Sequence, residues 1–133
     1  MSESQEAPPA ICKQLSAEEI NAQLIDQGKS AGLENLFKIL ANETRLRILH
    51  ALSISGEMCV NDLSATLDMK NQAISNQLQK LAGSKVVATR RSGVNIYYRI
   101  VDPCVSILLE RALCMLESSN TERSSESQQQ ADK

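Results

Sequence analysis

Apolar residues recur at helical spacing along most of this chain and at strand spacing in one segment. From Leu33 they fall at Leu36, Ile39 and Leu40, one face of a helix. Asn42 is placed to cap a second helix that carries Leu46, Ile48, Leu49 and Leu52, and Gly56 marks its end. A short helix from about Val60 to Thr66 turns Leu63 and Leu67 inward, and another begins near Lys70 with Ile74, Leu78 and Leu81 at i, i+4, i+7. Only Asp68 and Met69 lie between Leu67 and Lys70. Two short helices joined so tightly predict a helix-turn-helix. Upstream, Ser16-Ala-Glu-Glu19 is a capping box, which predicts a helix from about Ala17 to Gln27 stopped by Gly28.

Past Gly83-Ser84 the pattern changes. Val86 to Thr89 and Ile96 to Ile100 predict two strands, and Arg90-Arg91-Ser92-Gly93-Val94-Asn95 between them predicts a hairpin turn with two arginines at its tip. Asp102-Pro103 opens a last helix, with Asp as cap and Pro at the first helical position. Val105, Leu108, Leu109, Ala112, Leu113 and Leu116 give that helix a broader apolar stripe than packing on its own domain requires, so a dimer interface is expected there. The predicted fold is α+β and mainly α: a winged helix-turn-helix with a two-stranded wing, dimerising through terminal helices. Residues 1–15 are expected to form a flexible arm, 16–117 the DNA-binding and dimerisation domain, and 118–133, rich in Ser, Gln and Glu, a disordered tail.

Composition removes several function classes. Hydrophobic residues at 42% and charged residues at 23% are a globular balance over 133 residues, against a mainly disordered chain. No apolar run approaches the roughly 18 residues of a membrane span, and the acidic start lacks a secretory pattern, so a cytoplasmic protein with no membrane partner is expected. Aromatics are 2% (Tyr97, Tyr98, Phe37), which disfavours recognition by base stacking. The single histidine, His50, disfavours a His-based hydrolase or a His-rich metal site.

Charge is informative by region. Residues 69–101 hold six bases (Lys70, Lys80, Lys85, Arg90, Arg91, Arg99) and no acid, in a chain of net charge −2. Such a block is either a solvated face or a phosphate footprint. On the second helix of the helix-turn-helix the exposed positions are Asn71, Gln72, Ser75, Asn76 and Gln79, amide and hydroxyl groups able to hydrogen-bond base edges.

Four segments in order, Leu40-Ala-Asn-Glu-Thr-Arg-Leu-Arg-Ile-Leu49, Glu57-Met-Cys-Val-Asn-Asp-Leu63, Ala73-Ile-Ser-Asn-Gln-Leu78 and Arg90-Arg-Ser-Gly-Val-Asn-Ile-Tyr-Tyr98, resemble the ArsR/SmtB family of bacterial repressors, over about Leu33 to Glu117. The resemblance implies a homodimeric DNA-binding repressor, not an enzyme, that holds double-stranded operator DNA and releases it when an inducer binds. The usual inducers are metal or metalloid ions; some members sense thiol oxidation or persulfides. It implies a reading helix from Lys70 to Ala82, with Asn71, Gln72, Ser75 and Asn76 at reading positions. Arg90, Arg91 and Asn95 would be wing contacts to phosphate or minor groove.

The cysteines are Cys12, Cys59, Cys104 and Cys114, with no C-x-x-C among them. Free Cys is also a good small core residue. Cys59 lies in a segment similar to the family's E-L-C-V-C-D metal motif, with Asn61 at the second thiolate position. Family members using that site often borrow a cysteine from an N-terminal segment, and Cys12 is placed for this. Asp102-Pro-Cys104 and Cys114-Met-Leu-Glu117 resemble the family's other site, D-x-H-x10-H-x-x-E, with Cys for both His and a gap of nine. The shorter gap turns Cys114 by about 100° from the family pattern. Ten residues of helix, about 15 Å of rise, keep Cys104 and Cys114 of one chain from sharing an ion. Antiparallel pairing of last helices across a dimer would instead bring Cys104 of one chain toward Cys114 and Glu117 of the other. Cys104 at a helix N-terminus is also expected to favour thiolate. Thiolates favour soft ions (Cd, Pb, Zn or As(III)) as inducer, with no obligatory cofactor.

Two other classes compete. A small thiol enzyme needs a low-pKa Cys in an anion-binding loop, and no cysteine here precedes a Gly- or Arg-rich loop. A winged helix used only for protein contacts does not need an acid-free segment with a polar reading face.

Overall fold

A computed structural model describes residues 14–131, with side chains described over residues 14–119. Most of the expected arm, including Cys12, lies outside the described residues. The described residues divide into two compact units, on either side of the boundary between Leu36 and Phe37.

In the first unit, α1 (Ala17–Gln23) starts where the capping box predicts: the Glu19 amide donates to Ser16 Oγ at 3.1 Å. It ends one turn earlier than expected. Leu24 is extended, and the Asp26 carboxylate accepts from the Lys29 amide at 2.8 Å, opening α2 (Gln27–Leu40), whose last turn from Phe37 belongs to the second unit. Gly28 therefore lies in the first turn of α2 and is not the stop of α1, because a stronger N-cap precedes it.

The second unit is built on α3 (Glu43–Ser55). Asn42 Oδ1 caps it through the Arg45 amide at 3.0 Å, and Gly56, at φ 91°, closes it with its N–H on Leu52 O. A short strand β1 (Met58–Cys59) follows, then α4 (Val60–Leu67) and α5 (Asn71–Gly83). The joint between α4 and α5 is made by Asp68 in the left-handed region, φ 55°, with the amides of Asp68 and Met69 both donating to Ser64 O. Ile48, Leu49, Leu52, Leu63, Ile74, Leu78 and Leu81 are fully buried between these three helices. Burial of a Leu or Ile side chain is worth about 1.5–3 kcal/mol, so this cluster fixes how α5 is presented.

The hairpin is longer than the sequence suggests. β2 (Val87–Ser92) and β3 (Asn95–Ile100) pair antiparallel up to Ser92 opposite Asn95, leaving a two-residue loop, Gly93-Val94. Gly93 has φ 65° and Val94 does not have a positive φ, the pattern of a II′ turn with glycine first. Arg90 and Arg91 consequently sit in the strand, opposite Tyr97 and Ile96, and not at the tip. A third strand was not expected: β1 pairs with β3, Met58 opposite Tyr98 and Cys59 opposite Tyr97, giving the order β1-β3-β2.

The last helix, α6 (Pro103–Ala131), starts at the predicted cap, with the Cys104 amide donating to Asp102 Oδ1 at 2.9 Å. Residues 118–131, expected to be disordered, continue this helix. Neither Gly nor Pro lies between Pro103 and Ala131 to interrupt it. Three helices, a tight turn and a hairpin make this unit a winged helix-turn-helix, and no helix among the described residues is long and apolar enough to cross a membrane.

Candidate nucleic-acid interface and thiol sites

Alternation along α5 separates its two faces. Ile74, Leu78 and Leu81 enter the core, while Asn71, Gln72, Asn76 and Gln79 are exposed and Ser75 is half-buried. Lys70 is exposed at the N-cap. Two amides are already oriented. Asn71 Nδ2 donates to Asn61 Oδ1 on α4 at 2.9 Å, and Gln72 Nε2 donates to Asn76 Oδ1 one turn on, also at 2.9 Å. Each amide keeps free donor or acceptor positions for base edges.

The wing brings a further polar group to this face. Asn95 shares an open cleft of about 310 Å³ with Cys59, Asn61, Asn71 and Ser75. Arg91 is exposed on β2. Arg90 points to the other side of the strand, as alternation requires. Its guanidinium forms a two-pronged pair with the Glu57 carboxylate (Nη2–Oε1 2.9 Å, Nε–Oε2 3.0 Å) and lies 5.0 Å from the Tyr97 ring centroid. The hydrogen bond from Arg90 holds the Glu57 carboxyl below the usual carboxylate range. Sequence reasoning missed Glu57 as the partner of Arg90. Only the β1–β3 pairing brings these residues together, and two-residue β1 leaves no periodic signal.

The thiols are separated. Cys59 is buried in β1, directly before α4, whose start at Val60 is the predicted one. Cys104 and Cys114 are both exposed on α6. Among the described residues, no three His, Cys, Asp or Glu side chains come together as a metal-holding group. The direction at Cys104 is opposite to the one its place at a helix N-terminus predicts. A hydrogen bond to the Asp102 carboxylate pushes the Cys104 thiol up from its ordinary pKa. Asp102 is lowered in turn, first by the Cys104 amide. Beside a carboxylate, local charge outweighs the helix dipole. Glu117 lies one turn beyond Cys114, near the end of the described side chains.

Three comparisons bear on this geometry. The profile described as "Bacterial regulatory protein, arsR family" matches residues 42–88, from the cap of α3 into β2. The chain is 30% identical over 102 residues, 77% of its length and 76% of the relative's, to a transcriptional repressor SmtB homolog of Synechocystis sp.. It is 46% identical over 65 residues, 49% of its length and 56% of the relative's, to the arsenical resistance operon repressor of Escherichia coli. Among solved structures, the AntR antimony-specific transcriptional repressor superposes with a TM-score of 0.70 at 46% identity, covering 86% of this chain and 96% of that one. The helix-turn-helix, the wing and these likenesses agree, and the chain belongs to the ArsR family of bacterial regulatory proteins, which are DNA-binding regulators and not enzymes.

Proposed function

We propose that this protein is a homodimeric repressor that reads double-stranded operator DNA with α5 and releases it when a soft metalloid or metal ion binds cysteine thiolates on α6. The observation that carries the reading is the pair of exposed thiols, Cys104 and Cys114, on the helix of a fold shared at 46% identity with an antimony-specific repressor. Trivalent arsenic and antimony are the favoured ions, since relatives named for both share the fold and thiolates prefer soft ions.

The dimer is supported by α6 itself. Val105 and Leu109 are buried against the domain, yet Ile107, Leu113, Met115 and Leu116 remain exposed. Leu113 and Leu116 continue into an apolar groove of about 240 Å³ with Leu46, His50 and Leu109. A patch of this kind on a small domain calls for a partner, and a second copy also explains how separated thiols come together. Asp102, Cys104, Cys114 and Glu117 would supply the ligands across the dimer, with Cys59 and Cys12 as a second set. An ion held by these residues would supply the bonding between the two protomers' thiolates. This chain's residues orient those thiols and keep α5 in register with the DNA. Release follows if the ion prefers the DNA-incompetent state, and that difference in affinity is the coupling energy.

Lys70 and Arg91 would contact phosphates; Asn71, Gln72, Ser75, Asn76 and Gln79 base edges; and Asn95 the minor groove. Arg90 would reach phosphate only by leaving Glu57. Glu57→Gln is therefore expected to free it and to steepen the slope of log affinity against log salt by about 0.9, one phosphate contact. A slope equal to that of the unaltered protein means Arg90 serves the wing alone.

Fluorescence anisotropy of the reduced protein on its own promoter DNA tests the reading, with arsenite, antimonite, Cd, Pb, Zn and a persulfide donor added in turn. Release by a trivalent metalloid, with a thiolate absorbance band of matching stoichiometry, is expected. Release only by the persulfide, reversed by a reductant, would replace the ion site with a thiol-redox switch.

A further inference from the structure

Arg45 stands in the first turn of α3, half-buried, and its side chain joins two elements distant in sequence. A helix leaves its last four carbonyls without intrahelical partners. At the end of α2 these belong to Phe37, Lys38, Ile39 and Leu40. The Ala41 amide donates to Phe37 O and the Asn42 amide to Leu40 O, both at 2.8 Å. The remaining two are taken by one guanidinium: Arg45 Nε donates to Ile39 O at 2.6 Å and Nη2 to Lys38 O at 3.5 Å. Its other arm, Nη1, donates to Gln77 Oε1 at 2.9 Å. Gln77 is the half-buried residue of α5 directly after Asn76, on the flank between the reading face and the core.

This arrangement supplies what the apolar core does not. Ile74, Leu78 and Leu81 hold α5 down, but hydrophobic contact is non-directional. A planar guanidinium with fixed donor directions is directional. Anchored at the end of α2 by carbonyls and at its own backbone by the Asn42 cap, it can hold Gln77 in only one place. We propose that Arg45 is a positioning residue for DNA recognition: through Gln77 it sets the rotation of α5 about its axis, and with it the aim of Gln72, Ser75 and Asn76. The inference rests on the reading of α5 as the DNA-contacting helix.

The test is operator affinity and its salt dependence for Arg45→Met, Arg45→Lys, Gln77→Ala and the double variant Arg45→Met/Gln77→Ala, each confirmed folded by circular dichroism. Each single variant breaks a hydrogen bond from a charged group and is expected to lose affinity by about tenfold or more. The salt slope should not change, because no phosphate contact is removed. Arg45→Lys keeps the charge but not the fork and should not restore affinity. The double variant should lose little more than Arg45→Met alone, since both changes break one link. A fall of about 0.9 in the slope for Arg45→Met would overturn the proposal by making Arg45 a direct phosphate contact. Additive losses would overturn it by making Gln77 an independent contact, as would unaltered affinity in Gln77→Ala. That variant leaves the end of α2 capped and decides the matter if Arg45→Met does not fold. If the unaltered protein binds no promoter DNA, the proposed function itself falls, an outcome distinct from a variant that binds as well as its parent.

Discussion

Changing Cys104 or Cys114 to Ser is expected to leave operator affinity within about twofold and to abolish release by arsenite or antimonite. Both thiols are exposed, so serine, nearly isosteric, removes no core contact. A typical allosteric coupling of about 1–3 kcal/mol corresponds to a loss of operator affinity of about 5–150-fold when the inducer binds. Removing one ligand of a site shared between protomers should erase that loss. Anisotropy titrations of each variant with and without the metalloid measure it. If the serine variants no longer bind DNA, the thiols are structural. If they still release it, the ion is held elsewhere, and Cys59 is the next residue to change.

The second large effect concerns stability. Leu78→Ala empties a fully buried position of α5, in the core shared with α3 and α4. Such truncations cost about 2–5 kcal/mol, against about 5–15 kcal/mol for a whole domain. A urea titration should show the midpoint displaced by a large fraction of its value, with operator binding falling as the unfolded fraction rises. Gln79→Ala, one residue on and exposed, should stay within about 0.5 kcal/mol. Equal effects at the two positions would mean that α5 does not pack by the face described here.

The sequence by itself determined most helix starts and most of the inward faces. Apolar spacing places Ile48, Leu49, Leu63, Ile74, Leu78 and Leu81 correctly, and each is fully buried. The caps at Ser16, Asn42 and Asp102 are local chemistry, readable because donor and acceptor lie within three residues of each other. The same is true of the helix-turn-helix, whose signal is a short interval between two periodic segments. Motif resemblance supplied the family, and the profile and relatives agree with it.

Tertiary structure decided what depends on contacts distant in sequence. Glu57 and Arg90 are 33 residues apart, and Arg45 and Gln77 are 32. Neither pair has a periodicity of its own. Strand β1 is two residues long and exists because β3 offers it an edge. The two arginines moved from the hairpin tip into the strand because Gly93 permits a two-residue turn. Cys104 is expected to favour thiolate from its place at a helix end, yet the carboxylate that caps the same helix pushes its pKa up. Local sequence sets which segments form and which faces they bury. Only packing brings charged and polar ends together, and those meetings decide which side chains stay free to touch DNA or an ion.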